Sequence, residues 1–339
     1  MQKNNWPKVS IITATLNSAR TIDEYFDGIN SQIYMGEIEI IIPDGGSSDK
    51  TLEIARKNNA KIYFNKLKTA EAAKALGVKK ATGDIIALID SDNITTDKKW
   101  LEKMVIPFME DSEIIASEPI LYTYREDDHW LTRYFALIGM GDPINLFIGN
   151  YDRYSYVTDK WTGLNLETKS KKGYLKILLK EKIPTIGANG FLIKRKILTK
   201  NVLGDYLFDV EVLELLVQKG AVQIAKVDTG VVHLFSGDVW TFIRKQRRRI
   251  RDYLYYKSAN KRNGSGNLNY VYFGIIKFIF SCIFIIPLIM QSIAGYSRKK
   301  DWVWLFHPLA CYITLLAYSY ETIRSIFVKE EFTRKGWKQ

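Results

Sequence analysis

The triplet Asp90-Ser91-Asp92 follows the apolar run Ile85–Ile89 without a break. Such a run reads as a buried strand, so the two carboxylates stand at a strand's carboxyl end. Two carboxylates flanking one residue hold a hard divalent ion on one face of a turn, and Mg2+ or Mn2+ there also binds diphosphate oxygens. The ion then acts as a Lewis acid, neutralising charge that builds on a departing diphosphate. Taken alone, Asp-x-Asp is more often a solvated turn with helix-capping aspartates. Its surroundings decide.

Those surroundings alternate strand and helix. Val9–Thr15 is a β-branched run, and Ser18–Ser31 carries helical spacing through Ile22, Tyr25, Phe26 and Ile29. Ile38–Ile42 is a second strand ending at Pro43-Asp44-Gly45-Gly46; Ser47-Ser48-Asp49 then starts a helix over Thr51–Asn58. Lys61–Phe64 (strand), Thr69–Lys80 (helix) and Asp84–Ile89 (strand) complete the series. Short strands separated by helices predict an α/β fold with a parallel, doubly wound sheet. Ligands of such sheets bind beyond the strands' carboxyl ends, which selects Thr15–Asn17, Asp44–Asp49 and Asp90–Asn93. Further on the pattern predicts a helix over Trp100–Met109, a strand over Ile114–Ser117 and an amphipathic helix over His129–Met140. Residues 150–182 are polar and read as a mobile flap or insertion. Gly187-Ala188-Asn189-Gly190 is a turn between apolar stretches, Val210–Lys219 a helix, and Val222–Val232 one or two strands ending at His233.

Three segments in order, Val9–Asn17, Pro43-Asp44-Gly45-Gly46-Ser47-Ser48-Asp49-Lys50-Thr51, and Ala81-Thr82-Gly83-Asp84 leading into Leu88–Asp92, strongly resemble family-2 glycosyltransferases. The resemblance covers about residues 8–250 and implies a GT-A type, Rossmann-like, mostly parallel sheet. It implies that Thr13, Thr15 and Asn17 cradle a nucleotide, that Asp44 binds the base, and that Ser47, Asp49, Asp90 and Ser91 belong to the same donor site. Asp49 is equally a plain helix cap. Lys74 falls where the family has Arg in "A-R-N-x-G", and Ala75 replaces the Asn. Asp92, Asp90 and His233 are the expected metal ligands, for Mn2+ or Mg2+, and Gly187, Ala188 and Asn189 lie on the acceptor side. Inverting transfer needs a general base to take the acceptor hydroxyl's proton. The family's "E-D" position maps to Asp209, counted back from Gly220, with Phe208 in place of the Glu and Glu211 as the second choice. Arg248 and Arg249 lie in Gln246–Ile250, which is similar to the "Q-x-x-R-W" run of polymerising relatives. Ile250 stands where the Trp belongs, which points to non-processive transfer; the two arginines are left to grip diphosphate or acceptor phosphate.

The chain has 339 residues and a net charge of +12, with its densest basic run at Arg244–Arg251 just before strongly apolar sequence. That placement reads as juxtamembrane, facing anionic lipid, and no nucleic-acid motif accompanies it. Ile275–Tyr296 has the length and composition of a bilayer span, and Trp302–Tyr320 is a second candidate; a re-entrant or interfacial hairpin is the alternative. Cys282 and Cys311 sit one in each segment, at depths differing by ~9 Å, too far for a disulfide. The polar start of the chain lacks a signal-peptide core. The expected organisation is a catalytic domain over 1–235, a basic juxtamembrane segment over 236–265, a transmembrane or re-entrant hairpin over 266–330 and a basic tail over 331–339. The expected activity moves a sugar from a UDP- or GDP-linked donor to a lipid-linked or membrane acceptor, on the cytoplasmic face of the inner membrane. A sugar-nucleotide pyrophosphorylase-like enzyme and a non-catalytic membrane scaffold or lipid-binding protein are the competitors. The former lacks its Gly-rich, Arg-containing loop, since Thr15-Leu16-Asn17-Ser18-Ala19 follows the first strand.

Overall fold

The structure, a computed structural model, describes residues 6–187, 189–201, 204–207, 209–235, 237–258 and 268–327. Along the chain run β1 (Val9–Ile12), α1 (Ile22–Asn30), β2 (Ile38–Asp44), α2 (Thr51–Lys57), β3 (Lys61–Phe64), α3 (Ala70–Lys80), β4 (Ile85–Leu88), β5 (Asn93–Ile94), α4 (Trp100–Glu110) and β6 (Ile114–Tyr122). Then follow α5 (Trp130–Ile138), α6 (Ile144–Ile148), β7 (Glu167–Lys171), β8 (Tyr174–Leu179), β9 (Phe191–Lys194), α7 (Arg195–Asn201), α8 (Asp209–Val217) and β10 (Val222–His233). The last elements are α9 (Val239–Ser258), α10 (Leu268–Phe284), α11 (Ile286–Arg298), a 3-10 turn (Trp302–Leu305) and α12 (Phe306–Phe327). The chain forms two compact units. One comprises residues up to Asp128, Asn150–Ser155 and Lys160–Leu234; the other comprises His129–Gly149, Tyr156–Asp159 and the chain from Phe235.

The first unit is built on one sheet ordered β3-β2-β1-β4-β9-β6-β10-β8-β7, with β5 attached to β10. The half β3-β2-β1-β4 is parallel, as the strand–helix alternation predicts; β9 is antiparallel to both β4 and β6, and β6 runs parallel to β10. The class is therefore α/β and Rossmann-like, with mixed pairing beyond β4. Val9, Ile11 and Ile12 of β1 and Ile86, Ala87 and Leu88 of β4 are fully buried, as expected of parallel strands covered on both faces. Ile22, Tyr25, Phe26 and Ile29 give α1 its buried face. At Gly77 of α3 a Cβ would come within 2.3 Å of Ile12, so only glycine lets that helix lie this close to β1.

Residues 150–182 are not a free flap. β7 and β8 pair as an antiparallel hairpin turning at Gly173 (φ 84°), and β8 bonds along β10 from Tyr174–Val227 to Leu179–Val222. Ile177 and Leu179 turn to one face and Tyr174 is buried on the other, while all of β7 is exposed, so lysines obscured the strand pattern.

In the second unit the candidate span Ile275–Tyr296 falls on two helices meeting at 96°. The break falls at Ile285 (φ 52°). Pro287, in the first turn of α11, has no N–H to give to the carbonyl four residues back, so the helix restarts with Leu288 and Ile289 donating to the Ile285 carbonyl. Trp302–Phe327 is, among the described residues, the one unbroken helical stretch long and apolar enough to cross a bilayer. One face of α12 is buried through Phe306, His307, Ala310, Cys311, Thr314, Ala317 and Glu321. Its polar groups are paired: His307 with Tyr134 and Gln291 at 2.9 Å each, and Glu321 with Arg247. The opposite face exposes Leu309, Leu316, Ile323 and Phe327. Cys282 and Cys311 are both buried free thiols.

Candidate active site

Parallel pairing in register puts the ends of β1, β2 and β4 at one edge of the sheet. Ile12 stands opposite Ile41 and Leu88, so the chain leaves all three strands at the same level. Beyond them Thr15 bridges to Asp44, and the Ile89 N–H reaches the Ile12 carbonyl.

The loops that follow are joined to one another. Asn17, in the left-handed region at φ 53°, donates its N–H to Ser47 Oγ at 2.8 Å and accepts the Ser48 N–H on its side-chain oxygen at 2.9 Å. Asp44 is buried and accepts from the Gly46 and Ser47 N–H groups and from the Thr15 and Ser47 hydroxyls. Its carboxylate thus organises the Gly-Gly turn, where Gly46 needs φ 96°. Asp49 accepts from Thr51 N–H and hydroxyl and from the Ala19 N–H. Burial works against its charge, but these bonds outweigh it and hold the carboxyl below the usual range. Asp49 therefore holds Thr51, the first residue of α2, from the position before the N-cap Lys50, and ties that loop to the first one. Thr13 differs from the other predicted contacts: it is fully buried, with its hydroxyl 2.5 Å from that of Tyr25, so its side chain faces α1 and the core.

The Asp90–Asp92 triplet meets the other loops through Ser91, whose hydroxyl donates to that of Ser18 at 3.1 Å. Lys74, itself buried, holds Asp90 at 3.1 Å. β5 and β10 pair His233 with Asn93, which sets His233 Nε2 3.6 Å from Asp92 Oδ2. Adjacent ligands of an octahedral ion lie about 3 Å apart, so Asp92 and His233 fit a shared divalent cation with little adjustment. Among the described residues no group of three such ligands is preassembled. Of the three expected ligands, Asp90 is instead drawn to Lys74.

The remaining predicted residues are placed as follows. Gly187 (φ 127°), Asn189 (φ 57°) and Gly190 (φ 89°) form a tight loop whose last N–H bonds to the Leu88 carbonyl at the end of β4. Ala188 lies outside the described residues. Asp209 opens α8, and its side chain lies outside what is described; two residues earlier the Leu207 N–H bonds to Glu71 in the first turn of α3, the helix that carries Lys74. Glu211 is half-buried on α8. Arg248 and Arg249 belong to the second unit: Arg248 is exposed on α9, and Arg249 donates to the Gly141 carbonyl.

One group escaped the sequence reading. Glu118 and Lys226 are cross-strand partners on β6 and β10, fully buried, with their charged ends 2.7 Å apart. Arg153, also fully buried, reaches the same Glu118 oxygen at 2.7 Å and pairs with Asp152. Burial pushes Glu118 up, but Arg153 and Lys226 outweigh it and keep the carboxyl below the usual range. Asp152 goes the other way: burial, reinforced by Glu118, raises it to about 7. The readable signal was a lone charge in the middle of each of two apolar strands, Ile114–Tyr122 and Val222–His233.

Residues 10–201, more than half of the chain, match the profile described as "Glycosyl transferase family 2". "Glycosyltransferase AglE" of Haloferax volcanii is 28% identical over 141 residues, 40% of this chain and 46% of that protein. The "Dolichol-phosphate mannosyltransferase" of Pyrococcus furiosus is 32% identical over 90 residues, 25% of this chain and 26% of that protein. These matches span less than half the length of either relative. Among solved structures, the mannosyltransferase PcManGT from Pyrobaculum calidifontis, in complex with GDP-Man and Mn2+, superposes with a TM-score of 0.52 at 13% identity, covering 93% of this chain and 88% of that one. That likeness shows the fold: a GT-A type glycosyltransferase architecture. The chain belongs to glycosyl transferase family 2.

Proposed function

We propose that the chain is an inverting, non-processive glycosyltransferase that moves a sugar from a UDP- or GDP-linked donor to a lipid-linked acceptor at a membrane, using Mn2+ or Mg2+. The observation that carries this reading is the convergence of the β1, β2 and β4 end loops on one sheet edge, with Asp92 and His233 adjacent there. The relatives' names agree: one is a dolichol-phosphate mannosyltransferase, and the solved neighbour holds GDP-Man and Mn2+.

In this reading Asn17 and Ser47 line the nucleotide pocket, whose Gly45–Ser48 turn is kept in shape by bonds from its own N–H groups to Thr15, Asp44 and Asn17. Asp92 and His233 hold the cation, which when bound supplies charge neutralisation on the departing diphosphate. Lys74 fixes the Asp90 carboxylate and adds positive charge beside the donor phosphates. Asp209, with Glu211 as the alternative, takes the proton of the acceptor hydroxyl as it attacks the anomeric carbon. Gly187–Asn189 border the acceptor. The domain organisation we infer keeps catalysis in 1–235, a basic segment in 236–265, the apolar hairpin in 266–330 and a basic tail in 331–339. The exposed apolar faces of α10–α12, with exposed Arg244 and Arg248 on α9, support seating of the second unit in an anionic, cytoplasm-facing leaflet of the inner membrane.

The test is a panel of UDP- and GDP-sugars offered to the detergent-solubilised protein with polyprenyl phosphate acceptors, with Mn2+ and with chelator. Transfer that needs the metal and is lost in Asp209→Asn or Glu211→Gln supports the reading and names the base. Turnover with no donor, or turnover indifferent to chelator, overturns it.

A further inference from the structure

The buried charges around Glu118 converge on the Gly187–Gly190 loop from several sides. Glu118 Oε1 accepts the Gly187 N–H at 3.1 Å, and Arg153 donates through NH2 to the Asn189 carbonyl at 3.1 Å. The Asn189 side-chain amide donates to Tyr122 OH at 2.9 Å, and the Arg153 guanidinium lies over the Tyr122 ring at 5.2 Å. The Tyr122 ring also meets that of His233, with centroids 5.5 Å apart. Chemistry-bearing Asp92 and His233 are thus connected through Tyr122 to a loop whose glycines leave its backbone permissive, so that its conformation must be fixed by outside contacts.

Stability alone does not account for such a cluster. Buried ion pairs give little net stability over well-packed apolar residues of similar volume. What apolar residues cannot do is hold a backbone carbonyl and a backbone N–H of one loop in fixed directions. The planar guanidinium can, because one nitrogen faces the carboxylates while the other reaches the loop. Lys226 contributes by sharing Glu118 with Arg153, and it donates to the Asp152 carbonyl as well, which anchors the segment that carries Arg153.

We propose that Arg153, supported by Glu118 and Lys226, is a positioning residue that fixes the Gly187–Gly190 loop, and that Tyr122 links this loop to His233, so that acceptor selection depends on a buried charge cluster. The proposal rests on the reading above, in which that loop borders the acceptor. Arg153→Lys keeps the positive charge and loses the second nitrogen that reaches Asn189. Tyr122→Phe leaves every charge in place and removes one hydroxyl.

The experiment uses the full-length, detergent-solubilised chain and measures two quantities in each variant. Amide hydrogen exchange over residues 183–193 reports the loop directly, whether or not transfer is observed. KM values for acceptor and donor report the consequence. In both variants exchange at Gly187–Gly190 should quicken and the acceptor KM should rise, by about fivefold in Tyr122→Phe, the worth of one neutral hydrogen bond. The donor KM should stay at the wild-type value. If Arg153→Lys fails to fold, Tyr122→Phe alone decides. Folded variants with wild-type exchange in the loop overturn the proposal, as does quickened exchange with an unchanged acceptor KM. A wild type that transfers no sugar refutes the functional reading instead, while the exchange data still decide whether the cluster positions the loop.

Discussion

Glu39 offers a quantitative test of how the sheet edge opposite the site is held. Its side chain is 3% exposed and pairs with Lys61 at 2.9 Å. It also accepts from Ser10, from the Thr82 N–H and hydroxyl at 2.6 and 2.9 Å, and from the Gly83 N–H at 3.2 Å. These bonds join β1, β2 and the turn entering β4, whose far end carries Asp90–Asp92. Burial pushes the carboxyl up, but the bonds from Ser10, Thr82 and Lys61 outweigh it and lower its pKa from 4.5 to about 2. A lowered carboxyl stabilises the fold above its unfolded pKa, and that stabilisation is lost as pH falls toward the folded value. The displacement corresponds to about 3 kcal/mol at pH 7 and about half of that near pH 3. Glu39→Gln should therefore cost about 3 kcal/mol in urea unfolding at pH 7, and the deficit should narrow by roughly half at pH 3. A deficit below about 1 kcal/mol at pH 7, or one that stays constant on acidification, would refute the reasoning.

Replacing Lys74 by Met releases Asp90 from its 3.1 Å partner, and the donor KM should rise about tenfold, the worth of a charge-assisted bond, as read from initial rates. Asp152→Asn should abolish a pH slope. The folded carboxyl, raised to about 7 from 3.8, keeps a proton that the unfolded chain has released, so wild-type stability falls as pH rises between those values. Melting temperatures at pH 5 and pH 7.5 should thus converge in the variant and differ in the wild type. On the exposed face of α12, Leu309→Glu with Leu316→Glu should shift the chain from the floating vesicle fraction to the bottom fraction in flotation assays, since a charge near a helix centre costs about 2.5–3.5 kcal/mol on insertion scales.

The parallel half of the sheet was legible because its strands are short, mostly apolar runs spaced by helical patterns; Lys61–Phe64 was read residue for residue. The three strand-end loops followed from the rule for open α/β sheets, without any knowledge of side-chain contacts. The adjacency of His233 and Asp92 depends on β5 pairing with β10, and a two-residue strand leaves no periodic trace. Likewise Glu118 and Lys226 stand 108 positions apart in sequence, and only the β6–β10 register makes them partners. The hairpin β7–β8 was hidden by its lysine-rich outer face. The bend at Ile285 had a visible cause in Pro287, but an apolar composition count gives proline no weight as a helix breaker. Thr13 was assigned by its position in a motif, and its hydroxyl is buried against Tyr25 of α1, a contact that the motif does not carry.

The most direct measurement is the initial rate of sugar transfer as a function of Mn2+ concentration, in the wild type and in Asp92→Asn. The account predicts saturable Mn2+ activation in the wild type. In the variant it predicts a rate loss on the order of a hundredfold or more, not restored by excess metal. Equal rates and equal Mn2+ dependence in the two proteins would contradict it.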